Sequence, residues 1–230
     1  MDPRYQKLRS EVEQYFTPEH REAEPVEVHS SPSGAFELEV SAYQTRPGAW
    51  DYSRGVVRRT RDGCIVADVK RNFGNFWHAW VSPPAGSEYL LCGEDYQGYS
   101  IINLTNGVQH CHFPEEAYNG AGFCWAAAYP SPDGRTVAVD GCYWACPYEL
   151  VLYDFTEPET LPLRELDRIS DLRACKGWTQ EGDFVFERHY EVRASDDTSL
   201  DSLPSEEVNR LLRDPNAIVG RSEMARWRRT

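Results

Sequence analysis

A short turn-like string recurs along this chain at a nearly constant interval. Ser31-Pro32-Ser33-Gly34 returns as Ser82-Pro83-Pro84-Ala85-Gly86 and as Ser131-Pro132-Asp133-Gly134, then degenerates to Thr179-Gln180-Glu181-Gly182. Counted between first residues, the spacings are 51, 49 and 48. A fixed period of this size indicates one supersecondary unit used several times. Such units bury their apolar faces by stacking on their neighbours.

The second unit shows what one period holds. Trp77–Val81, Tyr89–Gly93, Tyr99–Leu104 and Val108–Phe113 read as four strands. Thr105-Asn106-Gly107 between the last two is a hairpin signal, because Asn and Gly tolerate positive φ. The first unit has strands at Phe36–Ala42, Val56–Arg59 and Cys64–Val69, with Arg61-Asp62-Gly63 as a turn. The third has Cys124–Tyr129, Thr136–Asp140, Tyr148–Phe155 and Leu163–Ile169. The fourth is partial, with Leu172–Trp178 and Phe184–Val192. The expected fold is all-β: propeller-like four-stranded units, three full and one partial, with a short helix near each end.

Three segments follow. Residues 1–27 hold a helix over 2–16, with Asp2 as N-cap and Pro3 at the first helical position, and a charged linker from Glu19 to Glu27. Residues 28–193 form the β domain. Residues 194–230 read as a polar linker, a short helix over Glu206–Arg213 and a basic tail with Arg221, Arg226, Arg228 and Arg229. That tail either frays or folds back on the acidic body.

The run Tyr129-Pro130-Ser131-Pro132-Asp133-Gly134-Arg135-Thr136-Val137-Ala138-Val139 resembles the Ser-Pro-Asp-Gly turn of WD40-like repeats in bacterial propeller proteins of the TolB type. The resemblance extends over residues 36–192 and implies that the units are blades. A closed ring takes at least about four blades. With three full units and one partial, the ring is closed by the termini, is completed by a partner chain, or gives way to an open stack or sandwich.

The chain carries 24 Lys and Arg against 37 Asp and Glu, a formal charge of −13. That balance argues against non-specific nucleic-acid or anionic-membrane binding, both of which need clustered cations. The N-terminus, Met1-Asp2-Pro3-Arg4-Tyr5-Gln6-Lys7, has no apolar signal region, and no apolar run approaches the length of a membrane span. The odd number of cysteines, 7, without such a signal is expected of reduced thiols in a cytoplasmic protein.

If the units are blades, the loops between second and third strands and the connections between units share one face. That face would collect Trp50, Asp51, Tyr52, Arg54, Trp77 and His78 from the first half. Glu94, Asp95, Tyr96, Tyr143, Trp144 and Tyr148 follow from the second. Trp50, Tyr52, His78, Glu94, Asp95, Tyr96, Tyr143 and Trp144 are the candidate ligand-binding residues, since exposed aromatics with a few charges suit a peptide, sugar or protein segment. The bland reading is that the large rings pack between blades.

Adjacent Glu94 and Asp95 could converge in a turn, and with His78 they form the candidate acid–base set of a hydrolase or lyase. His110 and His112 alternate onto one strand face, and Cys142 and Cys146 have a spacing tolerated in zinc sites. Neither pair alone supplies the three or four ligands that zinc needs. No nucleophile elbow, phosphate-binding loop, dinucleotide fingerprint or zinc-protease helix occurs. The expected function is a non-catalytic recognition or scaffold module for a protein, peptide or small ligand, with no cofactor. A hydrolase or lyase at the same loop face, and a zinc-stabilised structural protein, are the alternatives. A protein or peptide partner is expected. So is a homo-oligomer that covers free sheet edges.

Overall fold

The computed structural model describes residues 2–23, 26–83, 86–144, 147–214 and 216–229. Among the described residues fifteen strands form four antiparallel sheets, each built from consecutive segments. The first holds β1 (Glu27–Ser30), β2 (Phe36–Gln44), β3 (Asp51–Arg59) and β4 (Ile65–Arg71). The second holds β5 (Ala79–Val81), β6 (Tyr89–Cys92), β7 (Tyr99–Asn103) and β8 (Gln109–His112). The third holds β9 (Phe123–Pro130), β10 (Thr136–Tyr143), β11 (Glu149–Asp154) and β12 (Glu165–Ile169). The fourth has three strands, β13 (Leu172–Trp178), β14 (Asp183–Arg193) and β15 (Ile218–Arg228). All-β repeat units with short helices near both ends are what the chain forms.

In the first, third and fourth sheets the recurring string makes the tight turn between the first two strands. In the third unit Ser131 N–H donates to Thr136 O (2.8 Å), Thr136 N–H donates back to Ser131 Oγ (3.0 Å), and Gly134 N–H donates to Ser131 O (2.9 Å). Ser31 makes the same three bonds with Phe36 and Gly34. In the degenerate string Thr179 Oγ1 takes the serine's place, accepting from Asp183 N–H (3.2 Å). Gly34, Gly134 and Gly182 all have positive φ (71°, 65° and 83°), a conformation that costs any residue with a Cβ. The repeat is therefore a hydroxyl that closes the turn and a glycine that lets it bend.

Successive sheets pack face to face. Leu38, Val57 and Val69 of the first meet Leu90 and Ile102 of the second. Leu91 and Ile101, next in sequence and so on the opposite face, meet Val137, Val139 and Val151 of the third. Ala138, Leu150 and Leu152 then point the other way, toward Phe184 and Phe186 of the fourth. The two middle sheets are covered on both faces, which is why β7 is buried at all five positions. Among the described residues no core cluster, hydrogen bond or ion pair joins the fourth sheet to the first. The stack is open, and the closed ring is not what this chain forms.

The ends differ from the sequence reading. Helix α1 spans Pro3–Glu13, and Asp2 Oδ1 caps it by accepting from Arg4 N–H (2.8 Å). The linker that follows carries a 3-10 turn at Pro18–His20, and its last residue, Glu27, opens β1. The second helix, α2, is Ser205–Leu211, with Pro204 immediately before it. The polar stretch before it has a 3-10 turn at Leu200–Ser202, with Leu200 buried. The basic tail is not frayed: β15 pairs with β14 from Ile218↔Arg193 to Arg228↔Asp183. Its arginines engage acids of the body, Arg228 with Asp183 (2.5 Å) and Arg229 with Asp154 (3.0 Å). Among the described residues no helix is long and apolar enough to cross a membrane.

Candidate functional site

Four rings from four separate loops run together across one end of the first three sheets. Trp50 precedes β3, Phe73 lies in the connection from β4 to β5, Tyr96 lies between β6 and β7, and Trp144 follows β10. Ring centroids are 5.6 Å apart for Trp50–Phe73, 6.3 Å for Phe73–Tyr96 and 5.5 Å for Tyr96–Trp144, with mutual tilts of 47–60°. Trp50 is 47% exposed and Trp144 58% exposed. Tilted, partly exposed rings offer apolar faces to a ligand at small conformational cost.

A buried polar seam fixes this ribbon from below. Trp50 Nε1 donates to Asn72 O (2.7 Å). Asn72 Oδ1 accepts from Tyr96 N–H (3.1 Å), and Asn72 Nδ2 donates to Asp95. Arg71, only 2% exposed, donates to three backbone carbonyls: Asn75 (2.8 Å), Gly93 (2.8 Å) and Asp95 (2.9 Å). Its guanidinium also lies 5.8 Å from the Phe73 ring. Burial lowers the Arg71 pKa to about 10, so the group keeps its proton at neutral pH. A buried cation is costly unless its donors are used, and these carbonyls hold the 72–78 and 93–98 loops together. Gly93 leaves room for it, since a Cβ there would lie 2.9 Å from Arg71 Nη1.

Of the candidate residues, the fold brings Trp50, Tyr96 and Trp144 into the ribbon and Asp95 beneath it. Tyr52 is elsewhere: it stacks on Tyr15 (4.6 Å) under the N-terminal segment. Tyr143 packs on Phe123 (5.3 Å), beside Arg168. His78 lies against His29 (4.4 Å), and burial first and then His29 lower its pKa. Glu94 is buried and accepts from Tyr5 Oη (2.8 Å) and Gln109 Nε2 (2.9 Å), with Arg9 3.1 Å away. Burial raises the Asp95 carboxyl, against the opposing hydrogen bonds from Gln97 and Asn72. Both acids line a polar cleft of about 320 Å³ under α1. His78 shares no hydrogen bond with either acid, so the acid–base set is not assembled.

The zinc candidates are also dispersed. His110 faces Glu159 (3.6 Å) and His112 packs on Tyr99 (5.1 Å). Cys142 sits opposite Cys124 in the β9–β10 register, and burial pushes the Cys124 thiol up to about 11. Cys146 lies outside the described residues. Among the described residues, no group of three or more His, Cys, Asp or Glu side chains is placed to hold a metal.

Sequence reasoning missed Phe73, Asn72 and Arg71. The connection between units falls on this face, but the strand read from the sequence ends at Val69, and neither Arg71 nor Asn72 beyond it carries a local signal. Also missed was a second cavity, of about 250 Å³, between the second and third sheets.

An uncharacterized protein, R762, of Acanthamoeba polyphaga mimivirus is 31% identical to this chain over 202 residues. The alignment covers 84% of this chain and 79% of the viral protein. This chain belongs to the same family. A match of 202 residues is too long for one or two of the repeats, so the family relationship takes in more than two of them. No protein-family model matches the chain.

Proposed function

We propose that this family member is a non-catalytic recognition module that holds a protein or peptide segment on the ribbon Trp50–Phe73–Tyr96–Trp144. One observation carries the reading: four rings from four loops form a continuous, partly exposed surface, fixed from beneath by Arg71 and Asn72. Large aromatics on a rigid base are what binding hot spots are made of. In the same reading the sheets are propeller blades of the WD40-like, TolB-type kind, arranged as an open fan. The open side between the fourth and first sheets is where a second copy or another chain would add blades. The compartment that suits the thiols is the reducing cytoplasm.

Selection of displayed random peptides on the purified chain tests this. Peptides that bind the native chain should lose at least about tenfold in affinity on a Trp50→Ala/Trp144→Ala double variant, because aromatic hot spots carry 2 kcal/mol or more each. Peptides that bind both proteins equally would place recognition elsewhere.

A further inference from the structure

The second cavity adjoins the ribbon. Gln97 follows Tyr96, Tyr143 precedes Trp144, and both Gln97 and Tyr143 line it. Its other walls include the rings of Tyr99, Phe123, Trp125 and Tyr153. Tyr99 and Tyr153 each stack on Trp125, at 4.4 and 5.2 Å, so these walls are mutually braced.

Three features define what fits. The volume, about 250 Å³, falls below the roughly 300 Å³ at which pockets for drug-sized molecules begin, so it suits one side chain. The one carboxylate in the lining is Glu116, which is exposed, and the lining has no Lys or Arg. Burial lowers the pKa of His112, so its ring adds no cation at neutral pH. Aromatic faces carry negative potential, and with a carboxylate they attract organic cations. The neighbouring Arg168 guanidinium, paired with Glu149 (2.6 Å) and Glu165 (2.7 Å), lies 5.1 Å from the Phe123 ring and 5.8 Å from Tyr143, so the outer side of these rings already borders a cation. The chain's charge of −13 favours a basic partner.

We propose that this cavity receives the guanidinium or ammonium end of an arginine or lysine side chain from the peptide that lies on the ribbon. The peptide part rests on the function proposed above; the affinity of the cavity for an organic cation does not.

The test titrates the full chain with N-acetyl-arginine amide and with N-acetyl-citrulline amide, its neutral isostere, reading the Trp125 indole resonance. The arginine compound should bind about tenfold more tightly than the citrulline compound. Glu116→Gln and Tyr143→Leu should each weaken it severalfold while circular dichroism stays unchanged. Equal affinity for the two compounds, no movement of the Trp125 signal, or indifference to both substitutions would overturn the inference. The Trp50→Ala/Trp144→Ala variant separates the two readings. It should keep the arginine response while losing the selected peptides. If the arginine compound fails on the native chain while the peptides still depend on Trp50 and Trp144, the cavity inference falls and the ribbon stands.

Discussion

Ser131 and Gly134 divide the work of the repeated turn, and the division can be measured. Gly134 has φ +65°, and a Cβ added there would lie 2.8 Å from Pro83 Cα, so it carries both a backbone and a steric constraint. Gly182 has φ +83° with nothing within 4 Å of such a Cβ, so only the backbone constraint applies. Gly182→Ala should cost about 1–2 kcal/mol, the penalty of a left-handed L-residue. Gly134→Ala should cost clearly more, because the first backbone contact is with another sheet's turn. Urea unfolding of both variants checks this, and equal losses would show that the contact between turns is unimportant. At the same scale Arg71 shows how little of the site could be seen in advance. Arg71 lies just beyond the Cys64–Val69 strand read from the sequence, and only the three carbonyls that converge on it in the fold explain its burial.

Strands were legible as continuous apolar runs wherever a sheet has apolar residues on two faces. Leu90-Leu91-Cys92, Ile101-Ile102 and Val137-Ala138-Val139 announced β6, β7 and β10 because the middle sheets are covered on both sides. The outer strands were harder. β1, Glu27-Val28-His29-Ser30, is short and mostly exposed, and its one signal was that each other Ser-Pro turn follows a strand. β15 alternates Arg226 and Arg228 with Ala225 and Trp227, a pattern that reads as a basic tail until β14 lies beside it. The site was legible to the same degree. Loop assignment placed Trp50, Tyr96 and Trp144 on one face, but contact between loops of different units depends on how sheets stack, which no local pattern encodes. The element-scale expectation concerns β15. Truncation after residue 217 removes one of the two partners of β14, and with it Ala225 and Trp227, which pack on the Phe184–Phe186 cluster, so that a few kcal/mol of apolar burial is lost. The truncated chain should melt at least about 5 °C lower, as expected for a few kcal/mol in a chain of this size. An unchanged melting temperature would mean that the fourth sheet adds nothing to the fold.

The whole molecule is an open stack in which each interface depends on the one before. α1 straps one side of it, with Tyr5 bonded to Glu94, Arg4 paired with Glu115 (2.8 Å), and Lys70 paired with Glu13. An eleven-residue helix is marginal by itself, so these contacts and the ring pair Tyr5–Phe113 (4.9 Å) hold it in place. The strap, the buried Arg71 and the loops converge on the same end of the first two sheets. That end is therefore built as a rigid platform, and the ribbon sits on it. Amide hydrogen exchange of the native chain, with and without a selected peptide, tests this claim most directly. New protection should be confined to the loops around residues 45–50, 72–78, 93–98 and 143–148, with the sheets equally protected in both states. Protection centred on the outer faces of the first or fourth sheet, with these loops unchanged, would contradict it.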